Sequence, residues 1–564
     1  MSSTDFRDYR VTAPQYDDVA AEYRPLTDRL EAAQSADEAI AVVEAWDALR
    51  RWLYSWTALV GIRFNQDTRN EQYKKDRDYC DELEPRLTNL AVDMKRRVMA
   101  SPHRAALAER FGGHAFELWE CDVASFDPAI EGDLTEQSKL SAQYTALLAS
   151  GKFDFQGESL TLSQLVKFAQ HPDRAVRHDA ARLQWNWFGE NREHFDAIFD
   201  GLVRLRHRMA EKLGRQSFIE VGYQRMQRVG YGQGEVERFR AQVREHVVPL
   251  TVEIRRRQAA RLGTDPLMAW DEALHDPAGN PKPQGDHDWM IDRASEMFAQ
   301  MGSGLDEFFT AMRARHLMDL RSREGKGAGG FCEILPEFGM PFIYANFNGT
   351  ERDVLVFTHE MGHAFQSYSS LHTPLCDYIF PTAESCEIHS MSLEFLTWPQ
   401  MDLFFGADAD RFRQLHLTTS LLIFPYCVAV DHFQHLVYDQ PHASPDERAA
   451  MWQEMERMYL PALNWGDLSH AAGGRRWQAQ LHIYKYPFYY IDYALALACA
   501  LQLWVRAAED RTAALNSYVD LCRRGGEAPF GELVRSAGLA SPFDDDCLKS
   551  VVEHAYRQLS VPAL

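Results

Sequence analysis

At 564 residues, 46% apolar and 12% aromatic, the chain can bury a large core and hold more than one domain. Its formal charge of -22 argues against nucleic acid as a partner, which needs clustered Lys and Arg, and leans toward neutral or basic substrates. Nine cysteines scattered singly from Cys80 to Cys547, an N-terminus without the apolar core of a signal peptide, and a longest apolar run (Tyr493 to Val505) too short for a bilayer predict a cytoplasmic protein with free thiols and no membrane partner.

Residues 15 to about 150 read as successive amphipathic helices broken at Glu84-Pro85 and Ser101-Pro102, an N-terminal helical region (1–150) whose function is not legible. The remainder, 151–564, holds every motif discussed below. Phe153 to Leu162 alternates around Gly157 and predicts a small hairpin. Helical patterning resumes at Ser163 and runs past Leu262, and the Pro- and Gly-rich stretch between His275 and His287 predicts a loop that is either a lobe boundary or a surface insertion. The glycine cluster Gly325 to Gly330 lacks the order of a phosphate-binding loop and reads as a mobile loop next to the site. Pro341 to Phe347 is rich in strand formers and ends in the turn signal Asn348-Gly349. Through Phe342, Ile343, Tyr344, Ala345 and Asn346 this strand could bind an extended peptide along its edge, a buried structural strand being the alternative.

The next stretch carries His359-Glu360-Met-Gly-His363 inside a helical pattern that Asp353 can cap. Val354, Phe357, Met361, Ala364, Phe365 and Tyr368 fall in one sector, with His359 and His363 on the far side. Two imidazoles four residues apart can share one zinc ion, with Glu360 at their flank. A third ligand is needed. Gln366 and Ser369 exclude the metzincin continuation, leaving a carboxylate of the following helix, Glu384 or Glu387. Glu387 is preferred because it shares a stripe with Ser390 and Glu394, which can orient the ligands, whereas Glu384 lies in the first turn, where acids answer the helix dipole. His432 and His435 lack a matching carboxylate set and read as core or surface residues.

A second constellation runs from His482 to Tyr493, with five tyrosines and a histidine in twelve residues. Phenol and imidazole donors are what amide hydrolysis needs around its oxyanion, although tyrosines at helical spacing also simply pack.

Together, Gly329 to Pro336, Pro341 to Thr350, His359 to His363, Glu387-x-x-Ser390-x-x-x-Glu394 and His482 to Tyr493 resemble the M3 family of zinc metallopeptidases, in particular the oligoendopeptidase F branch, related to thimet oligopeptidase and neurolysin. The resemblance implies a mostly α, two-lobed, neurolysin-like fold with a small β element next to the zinc helix and a deep central channel. It implies one Zn2+ held by His359, His363 and Glu387, with Glu360 as catalytic base and His482, Tyr490 and Tyr493 assisting the transition state, Tyr489 being the alternative in that register. The expected activity is internal cleavage of short unstructured peptides in the cytoplasm. A zinc carboxypeptidase or peptidyl-dipeptidase is the competing reading, and a non-catalytic peptide-binding protein a third. Nothing in the sequence bears on oligomeric state.

Overall fold

The computed structural model describes residues 5–560 and is mostly helical. The chain folds into two compact units, each woven from three stretches. The first comprises Met1–Phe126, Lys282–Ala409 and Cys499–Ser541; the second comprises Asp127–Pro281, Asp410–Ala498 and Pro542–Leu564. The crossing at Pro281 to Lys282 falls within the loop that the Pro and Gly content marks.

The first unit opens with the helices Tyr16–Ala32, Ala36–Gln66 and Glu71–Ala100, the last two started by side-chain caps from Ser35 and Asn70. The expected break at Glu84-Pro85 does not occur, because Glu71–Ala100 runs through Pro85. A proline inside a helix costs about 3 kcal/mol. Here the flanking turn buries Cys80 and Leu83 against Trp56 and Val60, and a buried leucine alone returns roughly 1.5 to 3 kcal/mol. Tertiary packing therefore overrides the local signal. The second predicted break holds, with Ser101 ending that helix.

Five strands, β1 (Lys152–Phe155), β2 (Glu158–Thr161), β3 (Met318–Arg321), β4 (Phe331–Leu335) and β5 (Met340–Phe347), form two small sheets among the described residues. In the first unit the sheet order is β3-β5-β4, with β5 parallel to β3 and antiparallel to β4. Both edges of β5 are thus occupied by neighbouring strands.

In the second unit β1 and β2 form the predicted hairpin around Gln156 and Gly157, both with positive φ. Phe153 and Leu160 anchor it on Leu165 and Ala180. His432 bonds Tyr459 at 3.0 Å, and His435 bonds Tyr223 at 3.0 Å beside Asp431, so this pair belongs to core networks.

The helix Tyr490–Glu509 starts in the second unit and ends in the first. It exceeds the apolar run seen in the sequence and is long and apolar enough to cross a membrane by length and composition alone. Within this structure 67% of its apolar window is buried, with Ala494, Leu495, Ala496, Ala498 and Leu501 fully enclosed, which is the environment of a core helix.

Candidate metal and catalytic site

The His-Glu-x-x-His segment lies in the helix Glu351–Ser369, which follows β5 after a short turn. Asp353 is not its N-cap, as expected from sequence; Thr350 holds that position. Asp353 sits in the first turn, and its carboxylate accepts the backbone N–H groups of Asn348 and Gly349, at 3.0 and 2.6 Å, fixing the strand-to-helix turn. Val354, Phe357, Met361, Ala364 and Phe365 are buried, with Phe357 against Phe298 and Phe309, and Phe365 against Phe308. This apolar face fixes the helix, so the opposite face presents His359 and His363, their rings 4.9 Å apart.

The helix Ala383–Leu396 packs against it at very close range. A Cβ added at Gly362 would lie 2.5 Å from the His389 carbonyl oxygen and 2.6 Å from Ser390 Cα. That approach delivers the third donor. Glu387 Oε2 lies 3.3 Å from His359 Nε2 and 3.5 Å from His363 Nε2, and the three donor atoms fall within 4.8 Å of one another. Glu384 is buried in the first turn of the same helix, outside this group.

The outer nitrogens are also engaged. His359 Nδ1–H donates to Glu394 Oε1 at 2.7 Å, His363 Nδ1 faces Cys386 Sγ at 3.5 Å, and Ser390 Oγ donates to Glu387 Oε2 at 2.9 Å. Burial disfavours a charged His359, but the carboxylates of Glu387 and Glu394 outweigh it and lift the imidazole to about 10. His363 is raised in the same way, beside Cys386 and Glu387. Burial opposes charge on Glu387 as well, yet the two histidines hold its carboxyl well below the usual range. Positive charge is therefore stabilised where the three donors meet. Burial pushes the Glu360 carboxyl up, with the histidines pulling against it, and its Oε2 has no protein partner among the described residues.

The glycine loop reaches this carboxylate: a Cβ at Gly330 would sit 3.4 Å from Glu360 Oε1. It is pinned rather than loose. Thr68 N–H and Gly327 N–H bond the Gly325 and Asn65 carbonyls at 2.7 and 2.8 Å.

The proposed substrate strand requires correction. β5 is central, so it has no edge to offer, and Phe342, Ile343, Tyr344 and Ala345 are buried. Tyr344 donates to the Asn65 carbonyl, and Asn346 donates to the Gly327 and Gly329 carbonyls, so both are structural. The outer strands are β3 and β4, and β4 starts directly after Gly330.

His482, Tyr490 and Tyr493 lie in the second unit and form a cluster of their own. The His482 ring is 5.0 Å from Tyr490, 5.7 Å from Tyr489 and 6.0 Å from Tyr493. Tyr426 OH donates to Gln480 Oε1, which turns the Gln480 amide nitrogen toward His482 Nδ1 at 2.7 Å. With Nδ1 engaged by this amide, Nε2 is the ring nitrogen left to face other groups. Burial raises the Tyr490 phenol well above its usual range, keeping it a neutral donor. Tyr484, by contrast, is fully buried and stacked on Tyr144 at 3.9 Å, a packing residue.

Residues 298–553 match the model of Peptidase family M3, and residues 6–126 match the Peptidase M3 N-terminal domain. A structure of PZ peptidase A with inhibitor 2 is 42% identical, with a TM-score of 0.95 over 98% of this chain and 99% of that one. An oligoendopeptidase F, provisionally so named, from Bacillus anthracis str. Ames is 40% identical, with a TM-score of 0.90 over 99% and 98%. The chain belongs to peptidase family M3, in its oligoendopeptidase F branch.

An oligoendopeptidase F homolog of Borreliella burgdorferi is 24% identical over 219 residues, so the match spans only 37% of this chain and 36% of that relative. The M3 match includes His359, His363, Glu387, Glu360 and the His482 cluster. The M3 N-terminal domain covers residues 6–126 of the 1–150 stretch in which sequence motifs are silent. Cys386 escapes sequence analysis; its position directly before Glu387, on a helix carrying the third donor, is the available signal.

Proposed function

We propose that this M3 chain is a zinc-dependent oligoendopeptidase, binding one Zn2+ and hydrolysing internal bonds of short unstructured peptides in the cytoplasm. The observation that carries this reading is the convergence of His359 Nε2, His363 Nε2 and Glu387 Oε2 beside a buried Glu360 oxygen that has no partner among the described residues. The donor set fits zinc, because two imidazoles and one carboxylate are the number and kind of ligands that catalytic zinc sites use. When bound, zinc supplies a Lewis acid that brings the pKa of a water toward about 7.

Glu360 takes the proton of the attacking water and hands it to the departing amine. Its raised pKa suits both halves of that task, since a carboxylate too acidic would accept poorly. His482 Nε2–H and the hydroxyls of Tyr490 and Tyr493 donate to the oxyanion. An extended substrate adds along the outer edge of β4, where Gly329 and Gly330 leave room for close backbone approach. The nine free cysteines support a reducing setting.

The test is mass-spectrometric mapping of cuts in peptides of graded length, before and after chelation and zinc restoration, with C-terminally amidated members included. Zinc-dependent internal cuts confined to short peptides are expected. Stepwise loss from free C-termini would replace this reading with a carboxypeptidase or peptidyl-dipeptidase. Zinc binding without turnover would leave a peptide-binding protein.

A further inference from the structure

Within the second unit, one residue of the tyrosine segment holds a backbone conformation that its side chain disfavours. Phe488 has φ +68° in the bend between the helices Leu481–Lys485 and Tyr490–Glu509. For a residue with a Cβ this is the left-handed region, held only where the surroundings over-determine it.

They do so at every part of Phe488. Its N–H donates to Gln434 Oε1 at 3.0 Å, and its carbonyl accepts from Arg228. Its ring is enclosed by Tyr223, His435 and Tyr438, with centroids 5.6, 5.1 and 5.4 Å away. Gly222 supplies the remaining wall, and a Cβ there would lie 2.5 Å from the Phe488 ring. Arg228 also bonds Asp492 Oδ1 at 2.8 Å, both side chains being fully enclosed. One guanidinium thus grips the backbone before Tyr489 and the side chain before Tyr493.

We propose that Phe488, clamped by Gln434, Gly222 and Arg228, is a positioning residue that sets the reach of Tyr490 and Tyr493, the oxyanion donors. This rests on the peptidase reading above. Packing alone would not require a bend held against its own φ preference, and a glycine at 488 would adopt it without strain. Tyr490 lies between the two gripped positions and Tyr493 directly follows the second, and these are the residues whose hydroxyls must be aimed. A donor displaced by about 1 Å costs on the order of 100-fold in rate.

The experiment uses the zinc-loaded full chain and two variants, Phe488→Gly and Gly222→Ala, with a fluorogenic peptide and a phosphinic peptide mimic of the tetrahedral state. Phe488→Gly frees the bend, and Gly222→Ala displaces the ring while leaving residue 488 intact, so each covers the other if one fails to fold. In a variant with unchanged zinc content and circular dichroism, kcat should fall roughly 10- to 100-fold with KM within about twofold, and phosphinic affinity should weaken in parallel with kcat. Adding the same change to Tyr490→Phe/Tyr493→Phe should cost nothing more. Unchanged kcat in a folded variant, a rise in KM alone, or a full additional loss in the tyrosine-deficient background would overturn the clamp. A wild-type chain that binds zinc and cuts nothing would instead overturn the peptidase reading, and the purpose of the clamp with it.

Discussion

Glu394 accepts the Nδ1–H of His359 at 2.7 Å, and that bond decides which imidazole nitrogen meets Glu387. A ligand histidine held this way is a better donor and is already oriented before metal arrives. Glu394→Gln should keep the fold and weaken zinc binding by about 10- to 100-fold, measured by competition with a chromophoric chelator. Glu394→Leu should lose more, because the glutamine can still accept through its amide oxygen.

Gly362 is the contact point of the two helices that carry the donors. Gly362→Ala would force its Cβ to within 2.5 Å of the His389 carbonyl oxygen, a group that cannot yield without moving the Glu387 helix. Overpacking of this kind costs about 1 to 3 kcal/mol. We expect that loss in denaturant unfolding, together with reduced zinc stoichiometry. Wild-type zinc content in the variant would show that the helices can part without disturbing Glu387.

Glu360→Gln preserves shape and removes the proton acceptor. Zinc content should stay at the wild-type level while kcat falls by about 100- to 10,000-fold. His363→Ala should lose both, so the two variants separate metal binding from proton transfer in one assay.

The metal-free site has a pH signature. His359 is lifted from 6.5 to about 10, so the folded chain holds its proton after the unfolded chain has released it. That contribution to stability is complete below pH 6.5 and is lost as pH rises through about 10. Calorimetry should show the chelated protein losing stability over this window and the zinc-loaded protein losing less. Zinc uptake near neutral pH should release protons, and its apparent affinity should rise with pH.

Glu333, on β4, gives a second pH test. Burial pushes its carboxyl from 4.5 to about 7, so the folded state loses stability as pH rises between those values. Glu333→Gln can still accept the Tyr54 hydroxyl, which bonds Glu333 at 3.2 Å. The variant should match wild type below pH 4.5 and exceed it in melting temperature above about 7. Equal melting temperatures across the range would contradict this environment for Glu333.

What could be read from sequence follows from how local each feature is. The four-residue spacing of His359 and His363 is a property of one helix turn, and the stripe of Glu387, Ser390 and Glu394 is a property of one helix, so both are legible without knowing the fold. The role of β5 is not, since whether a strand is central depends on Met318–Arg321 and Phe331–Leu335 pairing on both sides of it. The chemistry assigned to Phe342–Asn346 therefore failed on a question of neighbours. Pro85 misled for the same reason, its local cost being offset by the packing of Cys80 and Leu83 on Trp56 and Val60 of the preceding helix. Cys386 carries no pattern of its own and matters only because the close approach at Gly362 brings it to His363.

The alternation of the two units constrains how the protein can be made. Six stretches alternate, so the first unit is not complete until Ser541 has left the ribosome and the second not until the stretch from Pro542 has followed it. Folding one domain at a time during synthesis, the usual protection of long chains against misassembly, is closed to it. The early helices must hold their apolar faces through the synthesis of Asp127–Pro281 before the sheet of their own unit arrives. Neither unit can be excised by a single cut, because each is built from three separate stretches. Newly made chains should therefore be most exposed to aggregation and proteolysis before Ser541 emerges.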